Sequence, residues 1–359
     1  MSNGSFEIFG KHEFEQVVYG YDKYSGLKAI IAIHNTALGP GIGGVRMMPY
    51  EQDHDALQDA LKLAKAMTFK NAAAGIKFGG AKAVIIGNPK EDKTEYLLRA
   101  FGRLVESLGG RYIPGVDIGT AEKDMVIVSQ ETRYCASLPE EYGGCGSTSG
   151  ATAYGLFYGI KAAVEETFAD PALKGKAIAI QGVGTVGSAL ARHLVQAGAR
   201  VIISDIDGEA VARLTEELPV DSVAPEDIYD QDVDVFSPCA LGGVLNDGTI
   251  PRLKCKLVAG AANNQLADET RHCKMLAEKG ISYGVDFILN AGGVVANTHQ
   301  FIGYKKERAN RDLQKIADNT KKVFQISRKN KVDTLTAAKM LAEERIKMAV
   351  HLKSWYMAK

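Results

Sequence analysis

Residues 176–207 read KAIAIQGVGTVGSALARHLVQAGARVIISDID, a strand, a helix and a second strand within the length of one β-α-β unit. The apolar run 177–180 supplies the first strand. Gly182-Val-Gly184-Thr-Val-Gly187 follows it directly in the pattern G-x-G-x-x-G. Glycine triplets arise by chance in a chain with 38 glycines, so the context carries the weight. The triplet opens a helix in which Val186, Leu190 and Leu194 share a face. Asp205 then ends the next strand, VIIS, 18 residues beyond Gly187. Gly182 permits the tight turn, Gly184 lets backbone approach a pyrophosphate, and Gly187 lets helix and strand pack closely. The helix start at Thr185 and Val186 offers unpaired N–H groups and a partial positive charge to phosphate oxygens. Asp205 is placed to accept hydrogen bonds from ribose hydroxyls and to repel a 2′-phosphate, which favours NAD over NADP. Arg213 is not placed to reverse that preference, and His193, inside the helix, reads as a surface or packing residue.

Working outward, further strand-like runs follow: VDVFSP (233–238), KLVAGAA (256–262) and ISYGVDFIL (281–289). From residue 305 the text is helical and charged, with a break near 329–333. On the other side, the polar, glycine-rich EEYGGCGSTSG (140–150) reads as a linker. Before it, KAIIAIHN (28–35), AKAVIIG (81–87) and RYIPGVD (111–117) read as strands. ALQDALKLAKAM (56–67) and YLLRAFGRLVESLGG (96–110) read as helices. The expected fold is α/β in two domains, which suits 359 residues.

The 43 basic residues balance 43 acidic ones, which argues against nucleic acid or an anionic membrane as the main partner. No apolar run approaches the roughly 20 residues of a membrane span. The N-terminal MSNGSFEIFGKHEFEQ lacks the basic start and apolar centre of a signal peptide. Five cysteines, odd in number and without a C-x-x-C pair, offer no metal site and no disulfide framework. A cytoplasmic protein with free thiols is expected.

A second stretch, KNAAAGIKFGGAKAVII (70–86), is small and apolar yet carries Lys70, Lys77 and Lys82, the last beside a strand that reads as buried. A phosphate loop is excluded because Ala81, not lysine, follows Gly80. A redox cofactor together with lysines and Asp117, in PGVDIGT, suggests amine chemistry. One lysine can hold a substrate carboxylate. Another, its pKa lowered by burial or by a neighbouring cation such as Lys77, can serve as a general base.

The motifs GLKAIIAIHNTALGP (26–40), FGGAKAVIIG (78–87), VDIGT (116–120), PCALGG (238–243), AGAANNQL (259–266) and NAGG (290–293) extend this reading. With them the chain resembles, over almost its whole length, the glutamate, leucine, phenylalanine and valine dehydrogenases. The resemblance implies an N-terminal substrate-binding and oligomerisation domain (1–147). It also implies a Rossmann-type, doubly wound NAD-binding domain (148–329), a cleft between them, and a C-terminal helix (330–359) returning to the first. Lys70 is similar to the lysine that binds the α-carboxylate, Lys82 to the catalytic lysine, and Asp117 to the aspartate that shuttles the amine proton. Gly43 and Gly44 line the approach, and Ile42, Gly115, Val294 and Asn297 belong to the side-chain pocket. Thr152, Cys239, Ala240 and Asn290 border the cofactor, and Asn263 meets both nicotinamide and substrate. The implied reaction is NAD-dependent oxidative deamination to a 2-oxo acid and ammonia by a homo-oligomer, dimer or octamer.

Glutamate enzymes of this group place a lysine where Ile42 stands. A second substrate carboxylate would therefore be buried unpaired here, at a cost of several kcal/mol. The expected substrate is bulky and apolar. Gly115, lacking the methyl found in leucine enzymes, leans towards phenylalanine, with leucine as the alternative. Asn297, if it faces the pocket, calls for a polar partner and would favour a hydroxyl or an indole N–H, as in tryptophan. His299 and Gln300, where an acidic residue is common, also depart from the pattern. Two other classes compete. A 2-hydroxy-acid dehydrogenase needs a histidine base beside an arginine clamp, which no histidine here provides. A non-catalytic NAD-binding sensor would have no need to keep Lys70, Lys82 and Asp117 together.

Overall fold

The computed structural model describes residues 13–357, with side chains as far as Leu352. The first twelve residues, read above for a leader, and the last two of the expected terminal helix lie outside the described residues. The chain divides into two units. The first takes in the chain up to Ser147, Asn297–Tyr304 and the stretch from Ala342; the second takes in Thr148–Ala296 and Lys305–Leu341. The chain thus rejoins the first unit twice, at 297 and at 342, rather than once at 330.

The first unit contains β1 (Gln16–Asp22), β2 (Leu27–Asn35), β3 (Gly41–Met48), β4 (Gly79–Ile86) and β5 (Tyr112–Val116). They form one mixed sheet in the order β1-β2-β4-β3-β5, with β3 parallel to both of its neighbours. Its text, GIGGVRMM, had not read as a strand, because glycine is depleted in strands. The glycines are there for close approach: a Cβ on Gly43 would lie 1.8 Å from the Ala81 carbonyl oxygen, and one on Gly44 2.5 Å from that of Val116.

Helix α1 (Asp53–Ala74) outruns the apolar pattern at 56–67 and ends where Gly75 turns left-handed at φ 76°. It lays Ala56, Ala60, Leu61 and Ala64 on Ile30, Ala32 and Val84. Helices α2 (Glu95–Glu106) and α3 (Glu122–Ser129) cover the opposite face, where Leu97, Phe101, Met125 and Val128 meet Ile31, Val45, Met47 and Ile85. Side chains alternate along a strand, so Lys82 shares the α1 face of β4 with Val84. That alternation carries a lysine into the interior.

The second unit begins with α4 (Ser149–Phe168), β6 (Ala177–Gln181), α5 (Thr185–Gln196), β7 (Arg200–Ser204), α6 (Gly208–Glu217) and β8 (Asp221–Ser222). It continues through β9 (Val235–Pro238), β10 (Leu257–Ala259), α7 (Glu269–Glu278), β11 (Ser282–Gly284), α8 (Asp286–Leu289) and α9 (Gly292–Thr298). Helices α10 (Lys306–Asn330) and α11 (Thr334–Met357) follow, separated near the expected break. The sheet is parallel throughout, in the order β11-β10-β9-β6-β7-β8. This is the doubly wound order that reverses direction between β6 and β9, where such sheets bind ligands. The run 281–289 is not one strand. β11 stops at Gly284, and Asp286, whose carboxylate accepts from the N–H of Phe287 at 2.7 Å, starts the short helix α8. Among the described residues no helix is long and apolar enough to cross a membrane.

Candidate active site

In the first unit Lys82 is only 4% exposed, and its Nζ lies 3.1 Å from Oδ2 of Asp117. Asp117 follows β5 on a turn in which its backbone N–H donates to Thr120 Oγ1 at 2.9 Å, while that hydroxyl bonds the Val45 carbonyl at 2.8 Å. Burial pulls the Lys82 pKa below the ordinary lysine value; the charge of Asp117 opposes this without cancelling it. Burial alone would lift Asp117, but Lys82 and Arg46 outweigh it and hold the carboxyl below the usual range. The result is an ionised carboxylate beside an amine that gives up its proton more readily than a surface lysine does.

The neighbouring cation is Arg46, on β3, and not Lys77, which is exposed. Arg46 was missed because the strand carrying it was missed. Counting by twos from Gly44 would have put it on the same face. Lys70 is half-buried on α1, the helix covering this face. The adjacent Asn71 donates to the Gly79 carbonyl at 2.6 Å and so ties α1 to the start of β4. Ile42 is buried, and Gly43 accepts a 2.9 Å bond from the Tyr112 hydroxyl. An added Cβ on Gly44 would come within 2.8 Å of Asp117 Cβ. That glycine leaves room for the Asp117 side chain.

Gly115 and Asn297 meet through a residue the sequence did not flag, Ser137. A Cβ on Gly115 would lie 2.9 Å from Ser137 Oγ. That hydroxyl accepts from Asn297 Nδ2 at 3.1 Å and from the N–H of Val116 at 3.3 Å. The Cys145 thiol donates to Asn297 Oδ1 at 3.2 Å. Ser137 is itself left-handed, at φ 58°, a strained backbone held by these bonds. Both ends of the Asn297 amide are therefore engaged within the protein. Nearby, Gln300 donates to the Cys135 carbonyl at 2.6 Å, and His299 is buried.

In the second unit Gly182 takes φ 95°, and a Cβ there would meet that of Ala240 at 2.7 Å. A Cβ on Gly187 would stand 1.9 Å from the Gly182 carbonyl oxygen, while Gly184 has open space above it. No side chain caps the start of α5, so the N–H groups at Thr185 and Val186 remain available for phosphate. The Asp205 carboxylate accepts from the N–H of Val183 at 2.7 Å and of Asp207 at 2.9 Å, which fixes it beside the loop. Across the switch point the N–H of Cys239 donates to the Gln181 carbonyl at 2.7 Å.

Asn290 donates to Asn263 Oδ1 at 2.8 Å, and its own Oδ1 is buried with no partner among the described residues. Thr152, on α4, would lie 3.1 Å through its hydroxyl from a Cβ on Gly293. Val294 also falls in this unit, apart in the chain division from Asn297. The open ground above Gly184, the uncapped helix and the orphaned acceptor of Asn290 fit a dinucleotide.

A glycine-rich β-α-β loop in one unit and a desolvated amine facing a carboxylate in the other are each parts that dehydrogenases acting on carbon–nitrogen bonds require. Residues 14–134 match the family model described as Glu/Leu/Phe/Val dehydrogenase, dimerisation domain. Residues 143–214 and 207–353 match that of Glutamate/Leucine/Phenylalanine/Valine dehydrogenase. A leucine dehydrogenase from Geobacillus stearothermophilus is 50% identical over 95% of this chain and 93% of its own. A phenylalanine dehydrogenase from Caldalkalibacillus thermarum is 44% identical over 99% of this chain and 97% of its own. The crystal structure of L-tryptophan dehydrogenase from Nostoc punctiforme superposes with a TM-score of 0.86 at 44% identity, covering 96% of this chain and 99% of that one. The chain belongs to the Glu/Leu/Phe/Val dehydrogenase family. It is an amino-acid dehydrogenase, an oxidoreductase of CH–NH2 groups, which leaves the hydroxy-acid dehydrogenase and the sensor without support.

Asp205→Ala is expected to weaken NAD binding at least tenfold in calorimetry while leaving NADP binding nearly unchanged, about a 1.4 kcal/mol difference. Equal losses for both would remove Asp205 from the ribose site.

Proposed function

We propose that the protein catalyses the reversible, NAD-dependent oxidative deamination of a bulky apolar L-amino acid to its 2-oxo acid and ammonia. The observation that carries this reading is the buried contact between Lys82 and the ionised Asp117. Lys70 binds the α-carboxylate as a point charge. Gly182, Gly184, Gly187 and Asp205 hold the dinucleotide, the N–H groups of Thr185 and Val186 meet its phosphates, and Cys239, Ala240 and Asn290 border it. Thr152 and Asn263 attend its nicotinamide. NAD, when bound, supplies the acceptor for the Cα hydride, leaving an iminium on the substrate. Lys82 in its neutral form takes a proton from the water that attacks the iminium carbon. Asp117 takes and returns the nitrogen proton as ammonia departs. Oxidation therefore gains rate as pH rises through the Lys82 pKa.

The pocket reading changes in two respects. Ser137 Oγ crowds the space beside Gly115, standing 2.9 Å from where a Cβ there would lie, which removes the ground for ranking phenylalanine above leucine. The engaged amide of Asn297 likewise removes the ground for a substrate hydroxyl or indole N–H. Leucine accordingly stands first, supported by the higher identity of the leucine dehydrogenase, and phenylalanine second.

We further propose a homo-oligomer in a reducing compartment such as the cytoplasm, where the five unpaired cysteines stay thiols. Tyr19 and Tyr21, 63% and 74% exposed on the edge strand β1, support association through that edge.

Initial rates with leucine, valine, phenylalanine, tyrosine and tryptophan are expected to give the highest kcat/KM for leucine, and Lys82→Ala to lose at least 10³-fold in kcat, beyond the range general-base assistance usually spans at its low end. A near-parental Lys82→Ala would end the mechanism, and a preference for tryptophan would end the pocket assignment. Light scattering is expected to give a solution mass at a multiple of 38.6 kDa; a single-chain mass would refute the assembly.

A further inference from the structure

The carboxylate of Asp117 is approached by two cations on a single oxygen. Arg46 Nε donates to Oδ2 at 2.8 Å, and Lys82 Nζ lies 3.1 Å from that same atom. No hydrogen bond to Oδ1 is formed among the described residues. Arg46 is in turn held from behind. Its second nitrogen donates to Asp59 of α1, at 2.9 Å to one oxygen and 3.2 Å to the other. The Tyr50 hydroxyl bonds Asp59 at 2.6 Å. The chain Tyr50–Asp59–Arg46–Asp117 joins the segment after β3, α1, β3 itself and the turn after β5. Arg46 itself is largely buried, its side chain 17% exposed.

We propose that Arg46 is a positioning residue for the deamination: its guanidinium locks Asp117 through Oδ2 so that Oδ1 is presented to the substrate nitrogen. This rests on the reading of Asp117 as the proton carrier. A lysine alone does not provide such a lock, because an ammonium is a point donor about which a carboxylate can swivel. A guanidinium is a planar fork whose direction is set by its other partner. Asp59 sets that direction, and Tyr50 sets Asp59. The pair of carboxylates also balances the pair of cations, so that the release of one proton from Lys82 leaves the cluster with a single net negative charge.

The groups facing this cluster are Arg46 from β3, Tyr50 beyond it, Asp59 from α1 and Lys82 from β4, while Tyr112 of β5 packs on the opposite face of the sheet. Their signs make the role testable. For Lys82, burial is the main lowering influence; the charge of Arg46 adds to it and that of Asp59 opposes it. Losing Arg46 therefore moves the Lys82 titration up, and losing Asp59 moves it down. A merely structural defect would not displace the two in opposite directions.

The test is the pH profile of kcat and kcat/KM for leucine deamination in the parent, Arg46→Gln, Arg46→Lys, Asp59→Asn and Asp117→Asn, each checked by thermal melting. Arg46→Gln is expected to lose about 10²-fold in kcat, the scale of a misplaced reacting group, with little change in KM and an ascending limb, set by Lys82 deprotonation, shifted to higher pH. Arg46→Lys keeps the charge and loses the fork, so its limb should stay near the parental pH while kcat falls about tenfold. Asp59→Asn should shift the limb to lower pH. Parental kcat in Arg46→Lys, or limbs that move the same way in Arg46→Gln and Asp59→Asn, would overturn the proposal while the role of Asp117 stands. Should Asp117→Asn keep parental turnover, the proton-carrier reading falls, and the positioning role falls with it. If Arg46→Gln fails to fold, Arg46→Lys and Asp59→Asn decide.

Discussion

Taking an ammonium out of water is tolerable only if a counter-charge meets it or its proton is easily lost, and at Lys82 both conditions hold. The rest of the first unit can be understood as the means of keeping that arrangement dry and rigid. Alternation along β4 aims the side chain at α1, whose alanines let the helix lie close. The glycines of β3 let three strands crowd together, so Asp117 arrives beside the amine without an intervening side chain. Arg46 and Asp59 close the charge balance from the other side. Small residues supply the proximity and charged ones the balance of charge.

The second unit solves a different problem with the same device. A methyl would strike Ala240 at Gly182 and a carbonyl oxygen at Gly187, which keeps those two as glycines, while the space above Gly184 is open. The reversal of strand order between β6 and β9 opens the ground above them. Asp205 is pinned beside the glycine loop by two backbone N–H groups.

Much of this was legible in the chain. The β-α-β unit could be read because its strand, glycines, helix and acidic end reinforce one another at fixed spacing. Lys82 and Asp117 could be read because lysine in an apolar strand is costly enough to need a reason. What escaped detection depended on contacts distant in sequence. β3 was hidden because its glycines serve packing against β4 and β5, which no local pattern reveals, and Arg46 was hidden with it. Ser137 gave no signal because its importance comes from Gly115, 22 residues earlier, and Asn297, 160 residues later. The run 281–289 misled because Ile281, Tyr283, Val285 and Phe287 alternate as in one strand across the end of β11 and the start of α8.

The claim on which everything else turns is that Lys82 titrates as a desolvated amine beside a charged aspartate. It can be read directly from the pH dependence of the Lys82 ¹³Cε resonance in lysine-labelled protein, assigned by its loss in Lys82→Met. A midpoint clearly below the ordinary lysine value of about 10.4 is predicted. A midpoint at or above that value would contradict the account.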